Sequence, residues 1–283
     1  VSELQNGDFE LNGYRVGDRD SVFVSGFEPG TPELANQDFT NPLTDGVFFG
    51  RDTLGSAAWT LEFAATGPQR FQAITALASE WRKPSRTPGS ESVLRFRVGN
   101  RTRRVYGRPR QFLSTPGPGF VNGVMTATAN FTTSDHLIYG DVEQTMSATL
   151  IPSSRGGVKS PLVGSLTSLS KGAGNNTLDV TGDAPAPFTA TIYGPVSTPV
   201  IEGDGWRIEI SGTLAFDQSV TIDTRRFTVL TERGVSISGR LHRTSRLANA
   251  RLAPGARNVT FSGIDATGRA RCDISWHPAF YSI

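Results

Sequence analysis

Along most of the chain, apolar residues stand singly or in short runs between Ser, Thr and Gly, and one stretch alone holds them at helical spacing. Trp59, Leu61 and Phe63 alternate with Thr60, Glu62 and Ala64, the period-two pattern of a strand with one buried face. Residues 124–131 and 141–151 read as strands too, and in the second Met146, Ala148 and Leu150 alternate with Thr145, Ser147 and Thr149. Between residues 9 and 27, closely spaced apolar residues interrupted by Gly13, Gly17 and Gly26 predict short strands and a hairpin. The Pro-, Asn- and Asp-rich stretch 28–45 reads as an extended loop, and Asp45-Gly46 as a tight turn. Phe71, Ile74, Leu77, Ala78 and Trp81 form a single apolar stripe. That stripe predicts one helix at about residues 68–82, opened by Pro68, ended by Pro84 and packed on a sheet. Residues 93–98 and 102–106 flank Gly99-Asn100, which tolerate positive φ, and predict a β-hairpin.

The second half reads as strand and turn almost throughout. Strands are expected at 176–180, 188–193, 206–214, 219–223, 227–230, 259–264 and 272–276, with a helical turn within 245–252. Their spacing suits a two-sheet sandwich. Residues 152–157, Pro-Ser-Ser-Arg-Gly-Gly, combine flexible and structure-breaking types between the two blocks. They divide the chain into an N-terminal β domain, 1–152, and a C-terminal β domain, 158–283, which agrees with a prior of ~150 residues per domain.

Composition supports a mainly β fold: 31 Gly and 17 Pro accompany a single helical pattern. A net charge of +2 gives no reason to expect a nucleic-acid binder or a membrane-surface protein. The basic side is nearly all Arg, with Lys83, Lys159 and Lys171 the only lysines. With Cys272 as the sole cysteine, an intrachain disulfide is impossible and a cysteine zinc site is not expected. No apolar stretch approaches the ~20 residues that span a bilayer. Residues 1–10 lack the basic-then-apolar pattern of a signal peptide, so neither secretion nor membrane insertion is expected. The Asn-x-Ser/Thr triplets at Asn100, Asn130, Asn175 and Asn258 therefore read as chance in a Thr-rich chain.

The densest charge cluster lies between Arg86 and Arg110, with Glu91 as its one acid. It admits three readings: a solvated hairpin face, an Arg-to-carboxylate subunit interface, or a DNA contact. Candidate interface residues are Arg95, Arg97, Arg101, Arg103 and Arg104; Arg95 and Arg97 share a face because strand side chains alternate. DNA ranks last, since few aromatics that could stack on bases are interleaved. Ser134-Asp135-His136 holds the residue types of a hydrolase triad, but adjacent residues cannot converge. Neither His136, His242 and His277 nor acid pairs such as Asp45 with Asp52, or Asp204 with Glu209, form a recognisable catalytic or metal pattern. Gly172-Ala173-Gly174 precedes no helix and reads as a loop. Trp59 and Trp81 fit core stripes. Trp206, after Gly203-Asp204-Gly205, is a candidate sugar contact, with Tyr193 as a second stacking platform. Cys272 alternates with Ile274 and Trp276 and is expected buried and inert. No catalytic residue, cofactor or metal is expected.

The run Asp45-Gly46…Gly50-Arg51-Asp52…Trp59-Thr60-Leu61-Glu62, followed by one helix and a hairpin, resembles minor tail proteins of actinobacterial phages. The second block follows the rhythm of the C-terminal domain of distal tail proteins of phages with long non-contractile tails. The residues concerned are 176–182, 187–195, Gly212, Val220-Thr221-Ile222-Asp223-Thr224, Leu252-Ala253-Pro254-Gly255, Asn258-Val259-Thr260-Phe261, 270–276 and Tyr281. These are strand and turn signatures rather than chemical fingerprints. The resemblance implies a ring-forming N-terminal β domain, a sheet or split barrel with one packed helix, and a galectin-like C-terminal β-sandwich. It implies a non-enzymatic virion protein, assembled in the host cytoplasm and placed at the tail tip. There a homohexameric ring would join the tail tube protein, the tape measure protein and the tail-tip hub protein. DNA would pass through the ring without specific binding. Two other classes compete: a carbohydrate-binding module that reads a host receptor, and a cell-wall hydrolase, for which no acid, base or nucleophile constellation stands out.

Overall fold

The computed structural model describes residues 3–17, 21–83, 87, 89–115, 123–152, 176–265 and 269–283. The chain forms two compact units, Val1–Asp141 with Phe280–Ile283, and Val142–Ala279. The break falls after Asp141 rather than at residues 152–157, of which 153–157 lie outside the described residues, as does Gly172-Ala173-Gly174. The reason is pairing: Gln144–Thr149 zips along Arg271–Trp276 over its whole length, which commits it to the second unit.

The first unit opens with strands β1 (Phe9–Leu11), β2 (Tyr14–Val16) and β3 (Val22–Glu28). Four two-residue strands follow: β4 (Leu34–Ala35), β5 (Phe39–Thr40), β6 (Val47–Phe48) and β7 (Thr53–Leu54). Then come β8 (Ala58–Ala65), helix α1 (Arg70–Trp81), β9 (Ser92–Val98), β10 (Arg101–Thr115), β11 (Met125–Thr133) and β12 (Ile138–Gly140). One sheet runs in the order β2-β1-β9-β10-β11-β8-β3, with β12 also paired to β10, and the path does not close into a barrel. Its inward positions alternate as the sequence pattern requires: Trp59, Leu61 and Phe63 on β8, Leu94 and Phe96 on β9, Ala127, Ala129 and Phe131 on β11. Ile74, Leu77 and Trp81 of the helix join this core, and the Trp81 indole donates to the Asn130 carbonyl at 3.2 Å. Phe71, expected on the same stripe, is 52% exposed. The helix stops at Trp81, while Pro84 lies outside the described residues. The expected hairpin turns at Gly99, whose φ of 61° is open to glycine at no steric cost.

The stretch read as a loop is an arm. β4 pairs with β7 and β5 with β6, so residues 34–54 make a narrow antiparallel ribbon. Its tip turns within residues 41–46, where the Asn41 amide donates to the Gly46 carbonyl and the Leu43 amide to Asn41 Oδ1.

The second unit holds β13 (Gln144–Thr149), β14 (Ile151–Pro152), β15 (Thr177–Val180), β16 (Phe188–Tyr193), β17 (Val196–Gly203), β18 (Trp206–Glu209) and β19 (Thr213–Leu214). It continues with β20 (Ser219–Asp223), β21 (Thr228–Thr231), β22 (Gly255–Asn258), β23 (Thr260–Ile264) and β24 (Arg271–Trp276). The last strand, β25, is Ala279–Phe280. Two five-stranded sheets result: β13-β24-β16-β20-β21, and β14-β23-β17-β18 with β19 on β17. Phe188 of the first meets Trp206 of the second at 5.0 Å between ring centroids, so the sheets face each other as a sandwich. The helical turn expected within 245–252 is a short 3-10 turn, Leu247–Asn249.

Candidate assembly surface

The arginine hairpin resolves into two populations. Register sets Glu10 of β1, Arg95 of β9 and Arg104 of β10 directly opposite one another on adjacent strands. Two arginines side by side would repel; Asp141, just past β12, lies against both. Arg95 grips it with two parallel bonds, Nε to Oδ1 at 2.8 Å and Nη2 to Oδ2 at 2.7 Å, and gives Nη1 to Glu10 Oε1 at 2.7 Å. Arg104 adds Nη2 to Asp141 Oδ1 at 2.7 Å and to the Asp141 carbonyl at 2.8 Å. Burial pushes the Asp141 carboxyl up, but the bonds from Arg95 and Arg104 outweigh it and hold the group below the usual aspartate range. The bond to Asp141 raises Arg95 above its ordinary value, against the opposing pull of burial.

Arg103 is buried as well, with its guanidinium 3.6 Å from the centre of the Phe280 ring. Arg97 donates to the Leu4 carbonyl at 2.7 Å and to Glu3 at 3.1 Å, and Arg101 is exposed beside the turn. Of the five candidate interface residues, Arg95 and Arg103 therefore sit inside the unit. Arg97, Arg101 and Arg104 keep a share of the surface. Glu10 and Asp141, which organise the row, were missed from sequence because the pairs join residues 85 and 46 positions apart.

A second surface was also missed. Every residue from Glu33 to Ser56 except Asn41 is exposed, and among them are Leu34, Phe39, Leu43, Val47, Phe48, Phe49 and Leu54. Leu43 is 90% and Phe49 87% exposed. Phe39 and Phe48 stack across the ribbon at 5.1 Å and nothing else covers them to the point of burial. An isolated two-stranded ribbon is marginal in water, and a cluster of exposed large apolar side chains marks an interaction surface. At the arm's root, on the same unit, lies a cleft of about 330 Å³, lined in part by Ser56, Glu91, Arg108, Arg110 and Thr132.

The other candidates have internal partners. Trp206 is buried, packed on Phe188 and on the backbone of Gly203, where a Cβ would stand 2.5 Å from the indole. The Arg271 guanidinium covers Tyr193 at 4.5 Å. Trp206 therefore has little surface to offer a sugar, and Arg271 occupies one face of the partly exposed Tyr193. Asp135 accepts from the Leu137 amide at 3.1 Å and the Tyr139 hydroxyl at 2.8 Å, while Ser134 donates to the Tyr106 carbonyl and His136 stacks against Tyr281. The three side chains serve a turn and do not converge. Cys272 is fully buried, and desolvation pushes its thiol well above the ordinary range. Among the described residues no three His, Cys, Asp or Glu side chains gather as a metal site, and no helix is long and apolar enough to cross a membrane.

Fold and surface together define a class: a mainly β chain of two compact units, the first carrying an exposed apolar arm. No protein-family model and no curated protein matches the chain. Solved structures do. The chain is similar to the SPP1 Dit (gp 19.1) protein, described as a paradigm of the hub adsorption apparatus in phages infecting Gram-positive hosts. Identity is 15% over 96% of this chain and 98% of that one, with a TM-score of 0.62. It is also similar to chains of the phage P2 baseplate in its activated conformation, with Ca at 8% identity and TM-score 0.50, and with Sr at 11% and 0.51. Each of these covers 95% of this chain and 97% of the other. The likeness establishes a shared fold across nearly the whole length.

Proposed function

We propose that the chain is a structural, non-enzymatic virion protein that closes on copies of itself into a ring, a hexamer, at the distal end of a phage tail. The ring links the tail tube to the tail-tip hub, touches the tape measure protein and leaves a passage for DNA. The observation that carries this reading is the end-to-end fold likeness to a phage hub protein, 96% of one chain on 98% of the other. Two features of the molecule support it. The arm offers apolar surface that a monomer leaves wet. The carboxylate-bound state of Arg95 and Arg104 leaves them ill suited to grip DNA that must slide past. An actinobacterial host follows from the resemblance of residues 45–62. The galectin-like assignment of the sandwich follows from the family resemblance of the second block.

The test is negative-stain imaging and light scattering of the concentrated protein, together with antibody labelling of intact virions. Closed rings and label at the tail tip are expected. A strict monomer missing from tails would overturn the reading. Titration with host wall glycans decides the rival sugar-binding reading, and with Trp206 buried no saturable heat is expected.

A further inference from the structure

We infer that the cleft of the first unit, between Ser56 and Arg110, is a binding site for a phosphate-bearing polyol or sugar. It lies within one unit of one copy, so it stands or falls apart from the ring. Strand pairing builds it. Arg108 of β10 stands opposite Thr132 of β11, and side chains directly opposite one another share a face. The register slips between Pro109 and Phe112, so Phe112 turns into the core while Arg110 stays exposed. Both arginines line the cleft, with Glu91 as its one acid.

The two guanidinium groups set the charge of the ligand. Arg108 is held by Nε to the Ser90 carbonyl at 2.9 Å and Nη2 to the Thr87 carbonyl at 3.3 Å. Its Nη1 has no partner among the described residues, and neither has the guanidinium of Arg110. A fixed donor beside a free planar fork suits an oxyanion, because the fork matches two oxygens at once and one side chain is already immobile. Volume sets what carries that anion. The cleft, about 330 Å³, would hold roughly ten waters at ~30 Å³ each, so a bare phosphate fills only a part. The remaining wall offers the hydroxyls of Ser56 and Thr132 and the carboxylate of Glu91, partners for the hydroxyls of a polyol or sugar. No aromatic ring among the described lining residues gives a base a platform, which sets nucleotides aside.

Isothermal titration of the full chain with glycerol 3-phosphate and glucose 6-phosphate tests the site. Saturable binding of at least one is expected, with glycerol and glucose silent and inorganic phosphate at least tenfold weaker. Arg110→Ala should weaken binding at least tenfold without moving the melting temperature, since that side chain is exposed. Arg243→Ala, at an exposed arginine of the second unit, should leave the affinity unchanged. Phosphomannan, a polymer of sugar phosphate diesters, separates two sources of the same chemistry. Competition with glucose 6-phosphate would place the ligand on a polymer, and its absence would leave the free ester as the ligand. No saturable heat with either ester, inorganic phosphate binding as tightly as its esters, or an equal loss from Arg243→Ala would overturn the site.

Discussion

At the scale of single residues, Asp141 is the pivot of the first unit's charged row. It separates two arginines that register places side by side, and both its oxygens accept from Arg95. Asp141→Ala leaves Arg95 and Arg104 facing each other at a largely buried position and should cost about 3 kcal/mol of stability, read from urea unfolding. The pH dependence follows from the sign of the shift. Asp141 is lowered in the fold, so its contribution is complete above the unfolded aspartate value of ~3.9 and is lost as pH falls through the depressed folded value. The wild type should therefore lose stability on acidification below pH ~4 more steeply than Asp141→Asn, which has no proton to take up there; parallel acid limbs would refute the assignment. In the second unit, Gly203→Ala puts a Cβ 2.5 Å from the Trp206 ring and forces the indole off Phe188. A loss of about 1–3 kcal/mol is expected, with a shift in tryptophan emission as the check.

At the scale of elements, what the sequence made legible was what the core dictates. The helix stripe, the β8 alternation and the Gly99 hairpin all appear, because each buries one face against a sheet and the burial imposes a period. Strand β16, Phe188–Tyr193, falls where its alternation puts it. The arm was not legible for the same reason: its strands are two residues long and bury no face in the unit, so Leu34, Phe39 and Val47 follow no core period. Only Asp45-Gly46 betrayed it, as a turn. The break between the compact units after Asp141 was not legible, because β13 looks alike whichever sheet receives it, and partner choice is a long-range fact. Core and arm should accordingly respond oppositely to mutation. Leu77→Ala empties a fully packed position and should cost about 2–5 kcal/mol with assembly otherwise retained below the melting point. Leu43→Ser with Phe49→Ser should leave the melting temperature within about 0.5 kcal/mol equivalent, since both side chains are exposed. Each should forfeit ~1.5 kcal/mol of burial per contact, so the dissociation constant should rise about 100-fold in analytical ultracentrifugation.

At the scale of the whole molecule, the net charge of +2 hides an uneven distribution. Residues 33–52 are acidic, with four acids against Arg51, and residues 86–110 are basic, with eight arginines against Glu91. Within the hairpin, part of that positive charge is spent internally on Glu3, Glu10 and Asp141. Of the remainder, Arg101 and Arg110 are exposed and Arg108 is partly so. A protein of near-zero net charge does not repel its copies at long range, yet its local fields can orient them. Salt separates these two properties. The Debye length falls from ~10 Å at 0.1 M to ~3 Å at 1 M, so contacts between exposed charges fade across that range while apolar burial does not. The fold of each unit should be indifferent to it, because the Asp141 cluster is largely sheltered. Assembly should therefore weaken several-fold between 0.1 and 1 M NaCl without any change in circular dichroism, and the slope should flatten when the exposed Arg101 and Arg110 are both replaced by Ala. An association that strengthens steadily with salt would instead mark the contact as apolar alone and remove the charged half of the reading.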